Sequence, residues 1–261
     1  MKKLLNLLIL LPFLTACDTV DKDDRYIQAE EIQVARKVLL EEFTGQHCTN
    51  CPEAHAIIER LEEQYGEDLV VVSIHAGSFA IKSPFGLMQE EGDEYARRWD
   101  VTAYPAGVVD RIGTQMTMDA WATAIREEMG KETDLEMELE AELSEDGNTI
   151  YITTNVLSST NISGYLQLWV VENGIVAQQY DGDETRNDYV HNNVFRGCVN
   201  GLWGEEISIQ ANMPQEFDNS VEVMTVGTPI SKWNVDNLYI VGFVYNNTTG
   251  VIQVDKVKVT E

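Results

Sequence analysis

The sequence predicts an α/β domain followed by an all-β domain, and its patterning and composition support this division. Helical and strand patterns alternate over residues 36–131, which is typical of a central sheet with packed helices. After residue 131, apolar and polar residues alternate at a period of two, and helical stretches stop. Hydrophobic residues make up 44% of the 261-residue chain, enough to bury cores in both parts. We therefore expect an α/β domain over 33–131 and an antiparallel β-sandwich over 134–261.

The first residues are typical of a targeting segment. Two lysines precede an apolar run over residues 4–14, which is too short to span a bilayer. The run ends in LTAC (14–17), which looks like a lipobox, so residues 1–16 are interpreted as a lipoprotein signal peptide and Cys17 as the acylated residue. The alternative is an ordinary secretory peptide that ends by chance before a cysteine. Residues 17–32 are acidic and polar, which predicts a tether between a membrane lipid and the fold.

The charge of the chain excludes one class of partner. There are 18 Lys and Arg against 44 Asp and Glu, which gives a net charge of -26. Such a surface repels nucleic acid, and no basic patch reverses the effect. We therefore expect no nucleic-acid partner.

The α/β elements follow one another in a regular order. The helix over residues 52–66 places Ala54, Ile58 and Leu61 on one face, and Gly66 predicts its end. Strands are predicted where β-branched and other apolar residues run together. The predicted elements are a strand over 36–43, the helix 52–66, a strand over 69–75, a short helix over 92–101, a strand over 106–113 and a helix over 118–130.

The later part is predicted to hold strands alone, separated by turn signals such as EDGN and NNTTG. The first of them, LEMELEAEL, could also form a helix. It is assigned to a strand because Leu135, Met137, Leu139 and Ala141 alternate strictly with acidic residues. The predicted strands cover residues 135–143, 148–157, 164–172, 221–227, 237–245 and 250–259.

Two cysteines three positions apart, Cys48 and Cys51, are the strongest chemical signal. Covalent haem attachment requires a histidine after the second cysteine, where this chain has Pro52. A zinc site could use His47 and His55 with the two cysteines. However, His47 adjoins Cys48 and no second cysteine pair follows, so we predict no metal and no other cofactor. A structural staple would stabilise little, about 2 kcal/mol for so short a loop.

A redox dithiol is therefore the favoured interpretation of the pair. Proline is tolerated only in the first turn of a helix, so Pro52 predicts a helix that begins within residues 48–51. Cys48 would then lie at the positive end of the helix dipole, which stabilises a thiolate. We expect Cys48 to be the attacking thiol and Cys51 the resolving thiol.

The stretch EFTGQHCTNC (42–51), followed later by TAYPAG (102–107), resembles the thioredoxin superfamily. The resemblance implies a thioredoxin-like domain over residues 36–131. It implies a cis proline at Pro105 that faces the dithiol, and a carboxylate at Glu42 beneath it. Glu42 is expected to accept the proton that Cys51 loses.

Two residues beside these motifs are predicted to contact substrate. His47 replaces the tryptophan that usually precedes the first cysteine, and Thr49-Asn50 separate the two cysteines, so the chain departs from thioredoxin itself. Tyr104, before Pro105, would present a backbone edge with which a substrate chain can pair. His47 and Tyr104 are the predicted substrate-binding residues.

The whole layout resembles the Omp28-related outer-membrane lipoproteins. That resemblance rests on the lipobox, the CxxC domain and a β-rich part that carries YVHNNVFRG (189–197) and NGLWGE (200–205). It implies a protein anchored to the outer membrane by the lipid on Cys17, on the periplasmic or the surface side. Two functions are compatible with it. One is thiol–disulfide exchange with cysteine-containing envelope proteins or a redox partner. The other is a binding or adhesion module in which the thioredoxin-like domain is only scaffold.

Five other features have weaker interpretations. His75 ends a predicted parallel strand, where it borders the active face or is purely structural. The segment DGDETRND (181–188) is a calcium loop or, as we prefer, a solvated turn. Cys198 is expected to be a buried, inert thiol. His191 and Arg196 are expected to make local hydrogen bonds, with contact to the other domain or to a ligand as the alternatives.

Overall fold

The computed structural model describes residues 34–260. The predicted signal peptide, Cys17 and the tether up to residue 32 therefore lie outside the described residues. The described residues belong to one compact unit. Within the described range, no helix is both long enough and apolar enough to cross a membrane.

The elements predicted for the first part of the chain are confirmed. The strands are β1 (Val38–Thr44), β2 (Leu69–His75) and β3 (Ala106–Val109), and the helices are α1 (Cys51–Tyr65), α2 (Glu90–Arg98) and α3 (Met118–Met129). Pro52 lies in the first turn of α1, where its missing N–H breaks no helical hydrogen bond. Gly66 caps α1 with a φ of 57°, which favours glycine, and its N–H bonds the carbonyl of Glu62.

The rest of the chain consists of strands, including several that the sequence did not predict. They are β4 (Leu135–Leu143), β5 (Thr149–Ser158), β6 (Ile162–Glu172), β7 (Ile175–Asp181), β8 (Glu184–His191), β9 (Val194–Cys198), β10 (Glu205–Ile209), β11 (Gln215–Glu222), β12 (Leu238–Asn246) and β13 (Gly250–Lys258). The strand assignment of LEMELEAEL is confirmed by β4. The strand predicted over 221–227 is wrong in position, because β11 ends at Glu222.

The described strands form an eight-stranded, a three-stranded and a two-stranded sheet. The large sheet has the order β13-β12-β6-β9-β2-β1-β3, with β10 added beside β6. β1 pairs with β2 in parallel across α1, and β3 is antiparallel to β1. The three-stranded sheet has the order β11-β5-β4, and the two-stranded sheet is the hairpin β7–β8.

Strands from both predicted domains thus share one sheet. The junction is between β2 and β9, where Ser73 pairs with Val194 and the Ser73 N–H bonds the carbonyl of Asn193 at 2.7 Å. β9 thereby covers an edge of β2 that would otherwise present unpaired backbone groups. The division into domains at 33–131 and 134–261 stays a prediction.

Three apolar clusters fill the layers around the large sheet. α1 and α3 pack on β1 and β2, with Trp121 and Leu40 at the centre. The sheet β11-β5-β4 packs on β6 and β12 through residues such as Leu139 and Leu168, which gives a face-to-face arrangement of two sheets. A third cluster joins α2 to strands from both parts of the chain; its largest members are Tyr95, Trp99, Trp169, Phe195 and Phe243.

A buried ion pair lies inside this third cluster. Arg111 Nη2 is 3.1 Å from Glu41 Oε1, and their side chains are 2% and 0% exposed. The guanidinium also stacks over the rings of Phe243 and Tyr245, at 4.6 and 4.5 Å from their centroids. Burial raises the pKa of Glu41, and the neighbouring Arg111 opposes that rise. The pair therefore ties β1 and the turn after β3 to β12.

Candidate functional site

The CxxC motif lies where the sequence predicts, at the start of α1. Cys48 and Cys51 form a disulfide with a Cα–Cα distance of 5.4 Å. Cys51 is the first residue of α1, and its N–H bonds the carbonyl of Cys48 at 3.3 Å. The predicted start within residues 48–51 is confirmed. Cys48 is only 3% exposed and Cys51 is fully buried.

The hairpin β7–β8 covers the disulfide, and we call residues 175–191 the cover hairpin. The Tyr180 N–H donates to the carbonyl of Gln46 at 2.8 Å, and the Gly182 N–H donates to the carbonyl of Thr49 at 3.2 Å. The ring of Tyr180 also stacks on that of His47, with centroids 4.6 Å apart. The predicted substrate-binding residue His47 therefore contacts the chain's own hairpin.

Gln179 fastens the cover hairpin from below. Its side chain is fully buried, and its Nε2 donates to the carbonyls of Cys48 at 2.9 Å and Gly45 at 3.3 Å. A third bond goes to the carbonyl of Tyr180 at 3.0 Å. One amide group thus holds both the turn before Cys48 and the strand above it.

Glu42 is buried in β1 without a strong partner. It shares a strand face with Val38 and Leu40, as expected, and it is fully buried. Neither carboxylate oxygen makes a hydrogen bond to any described residue. His55 is its partner in a possible ion pair, with His55 Nε2 3.5 Å from Glu42 Oε1.

Three of the four histidines of the chain meet beside Glu42. His55 lies between Thr44 Oγ1 at 3.1 Å from its Nε2 and Tyr189 OH at 2.7 Å from its Nδ1. The ring of His191 lies 5.3 Å from that of His75 and 6.4 Å from that of His55, between centroids. The ring nitrogens of His75 and His191 make no hydrogen bond of good geometry to the described residues. A cavity of about 40 Å³ adjoins all three rings, room for a water molecule or two.

The buried histidines are held in the neutral form. Burial, then the neighbouring His191 and His55, lowers the pKa of His75 well below its usual range. Burial, then His55, lowers the pKa of His191 to about 3. Neutral imidazole is the form that binds metals, but no three His, Cys, Asp or Glu side chains of residues 34–260 are arranged to hold a metal ion.

Tyr104 and Pro105 lie on the loop that precedes β3. The Tyr104–Pro105 peptide is cis and directly precedes β3. The Tyr104 ring lies 5.6 Å from that of Phe79, whose carbonyl accepts the His47 N–H at 2.8 Å. A Cβ on Gly45 would meet the Phe79 backbone at 2.5 Å, so only glycine fits this approach. Burial, then Asp93, raises the pKa of Tyr104 to about 12.

The remaining candidates have structural surroundings. Residues 181–188 form the tip of the cover hairpin and most of β8, where Arg186 lies 3.2 Å from Asp181. The Cys198 sulfur is 3.1 Å from Tyr95 OH, and burial raises the pKa of its thiol to about 11, so it stays protonated. Arg196 lies 3.2 Å from Glu172 and donates to the carbonyls of residues 230–232.

Sequence reasoning missed the cover hairpin and the roles of His55 and Gln179. The strands IVAQQYD and ETRNDYVH are too polar to show a clear period of two. The one local signal is Asp181-Gly182, a dipeptide typical of tight hairpin turns. It was interpreted as a solvated turn.

The fold and the site define a class of protein in which a disulfide-bearing α/β layer shares its sheet with a β-sandwich. The chain belongs to the Omp28 family, whose model, described as outer membrane protein Omp28, matches residues 92–261. The match includes the cover hairpin and begins after Cys48 and Cys51. No curated protein matches the chain.

Two solved structures share the fold. HBP35 of Porphyromonas gingivalis is 14% identical over 86% of this chain and 76% of its own, with a TM-score of 0.67. A protein from Agrobacterium tumefaciens is also 14% identical, over 87% of this chain and 96% of its own, with a TM-score of 0.50. At this identity the likeness extends to the fold alone.

Proposed function

We propose that this chain is a lipid-anchored outer-membrane protein that exchanges disulfides with cysteine-containing proteins of the envelope. The observation that carries the proposal is the Cys48–Cys51 disulfide at the first turn of α1. The helix N-terminus offers free N–H groups and a positive dipole end, which stabilise the thiolate that exchange requires. A structural role explains the pair less well, because it closes a very short loop.

The arrangement of the first three strands supports a thioredoxin-like module. β1, α1 and β2 form a parallel βαβ unit, and β3 runs antiparallel beside β1. The CxxC motif lies between β1 and α1, and Pro105 directly precedes β3, as the resemblance implies.

Exchange would proceed in two balanced steps. In the reduced protein, the Cys48 thiolate attacks a substrate disulfide, forms a mixed disulfide and releases one substrate thiolate. The Cys51 thiol then loses its proton and attacks the Cys48 sulfur, which releases the second substrate thiolate and forms the Cys48–Cys51 disulfide. A dithiol redox partner in the envelope must reduce the pair again.

Glu42 is the proposed acceptor of the Cys51 proton, as the resemblance implies, and it is buried with neither oxygen in a hydrogen bond to the described residues. His55, 3.5 Å away and 16% exposed at its side chain, connects Glu42 to solvent. We therefore assign the imidazole of His55 to the outer end of the route.

A disulfide-reduction assay tests the proposal. The lipid-free chain with Cys17→Ser is compared with the same chain carrying Cys48→Ser, and Cys198→Ser is the matched control. We expect Cys48→Ser to abolish catalysed reduction of a protein disulfide and Cys198→Ser to leave it unchanged. In addition, alkylation of the reduced protein at mildly acidic pH should label Cys48 before Cys51. Equal activity in the Cys48→Ser protein would contradict the redox assignment.

The anchor is tested separately. Mass spectrometry of the mature N-terminus should find an acylated Cys17, because two or more acyl chains on one residue give stable membrane attachment. An unmodified cysteine, or cleavage at another position, would contradict this part of the proposal.

A binding or adhesion module is the second candidate, and two observations favour it. The family match over 92–261 does not include the cysteines. The disulfide is also covered by the chain itself. Under this hypothesis Cys48→Ser would leave binding to envelope partners and all cellular phenotypes unchanged.

A further inference from the structure

We propose that the cover hairpin is a gate over the disulfide and that Gln179 is its latch. The inference deepens the proposed redox function, since it states what regulates access to the same site. It rests on the burial of the sulfurs, on the bonds that close the hairpin and on the way the hairpin is attached.

The closed arrangement blocks exchange. An attacking thiolate must approach one sulfur from behind, in line with the S–S bond that breaks. Cys48 is 3% exposed and Cys51 is fully buried, so the closed arrangement leaves little surface for such an approach. In the proposed gate, the hairpin moves before a protein thiol or disulfide reacts.

The hairpin is attached differently at its two ends. Its base is apolar: Ile175 and Ala177 are buried against Leu87 and Val194. Its distal half has no such core, and most of β8 is exposed. Within the described residues, β7 and β8 pair with each other and belong to neither of the two larger sheets. This attachment allows the distal half to swing away about the base.

Polar contacts and one ring stack, rather than an apolar core, hold the distal half down. They are the two backbone bonds from Tyr180 and Gly182, the Gln179 amide, the bond from Gln46 Nε2 to the Gln178 carbonyl, the contact between Tyr189 and His55, and the stacking of Tyr180 on His47. Hydrogen bonds of this kind can be exchanged for bonds to water or to another chain at small net cost. The latch residue Gln179 holds the carbonyls of Gly45 and Cys48 with one side chain, and its third bond, to Tyr180, lies within the hairpin.

The contacts also indicate what opens the gate. The carbonyls of Gln46 and Thr49 accept N–H groups from Tyr180, near the end of strand β7, and from Gly182, in the turn that follows. An extended segment of a partner protein, carrying a disulfide or thiol, can donate to the same two carbonyls once the hairpin has left. The partner class is therefore an extended polypeptide, for which the hairpin is the resident substitute.

The rate at which a small thiol reduces the Cys48–Cys51 disulfide measures the gate. Dithiothreitol is added to the lipid-free chain, and the free thiols are trapped by rapid alkylation. Gln179→Ala removes the latch, and we expect reduction to be about tenfold faster than in the parent, as the loss of one to two net hydrogen bonds implies. Gln178→Ala is the matched control, because its side chain makes no hydrogen bond to the described residues. It should reduce at the parental rate.

Hydrogen exchange of the parent protein gives a second measurement that needs no variant. The amides of Tyr180 and Gly182 should exchange much faster than that of Val241, which lies in the buried strand β12. Equal rates for Gln179→Ala and the parent, or hairpin amides as protected as those of β12, would overturn the gate. If dithiothreitol reduces the Cys48–Cys51 disulfide faster in Gln179→Ala but the protein turns over no protein disulfides, the gate is supported and the proposed function is refuted instead.

Discussion

Because two of its histidines are buried, we expect the protein to lose stability in mild acid. His75 and His191 lie side by side, and in each the folded-state pKa is lowered, to about 3 for His191. A group whose pKa is lower in the folded state binds fewer protons there than in the unfolded state. Its contribution to stability is therefore complete above the unfolded pKa, near 6.5, and is lost as the pH falls towards 3.

The size of the loss follows from the pKa difference. pH 5 is about 1.5 units below the pKa of an unfolded histidine, so protonation stabilises the unfolded state by about 2 kcal/mol at this pH. Folded His191 is still neutral there and gains no such stabilisation. Any folded pKa below about 4 gives nearly the same figure, so it does not depend on the exact shift. Burial lowers the pKa of His75 as well, so His75 acts in the same direction. The titratable groups near the pair are His55 on α1, Arg196 on β9 and Tyr189 on β8.

The measurement is urea unfolding of the parent and of His191→Gln at pH 7.5 and pH 5.0. Buried carboxyls with raised pKa values, such as Asp110 at about 6, stabilise the fold as the pH falls, so only the difference between proteins is informative. The parent should lose about 2 kcal/mol more than His191→Gln over this interval. His47→Gln, a change on the half-buried turn before Cys48, is the control and should keep the parental dependence. The reasoning is refuted if His191→Gln shows the full parental loss.

Two further predictions concern the shared sheet. Arg111→Met should lower the free energy of unfolding by about 3–5 kcal/mol in urea unfolding, because Glu41 is left buried and unpaired; adding Glu41→Met should recover most of the loss, and no recovery would contradict the pairing. Protease cleavage in the exposed segment 130–132 should give two fragments that elute together in gel filtration, because β2 and β9 remain hydrogen-bonded; separate elution would show that the two predicted domains fold independently.

The elements that the sequence predicted correctly carry their own local signals. β2 is a mostly apolar, β-branched run of a kind typical of buried parallel strands, and it spans Leu69–His75 as predicted. The bounds of α1 follow from Pro52, which is tolerated only in the first turn of a helix, and from Gly66, which ends the helix. The position of the disulfide follows directly from the first of these bounds.

The features that the sequence did not predict depend on contacts between distant residues. No local pattern indicates that Ser73 pairs with Val194, so the continuity of the sheet could not be predicted. The hairpin was missed because its strands bury few apolar groups and are held by polar bonds, such as those of Gln179 to residues more than 130 positions away. The sequence predicts His55 only as a possible zinc ligand, because His55 lies on α1 whereas its partners Glu42 and Tyr189 lie on β1 and β8.

The nature of the hairpin contacts bears on why the cysteines are present. The hairpin bonds the carbonyls of Gln46, Cys48 and Thr49, which any residue at those positions would offer. The cover therefore does not need the sulfurs, and the disulfide adds only about 2 kcal/mol of loop restraint. With two serines in their place, a scaffold would lose only that restraint. The proposed exchange, by contrast, requires two cysteines, and their position at a helix start is one that stabilises a thiolate.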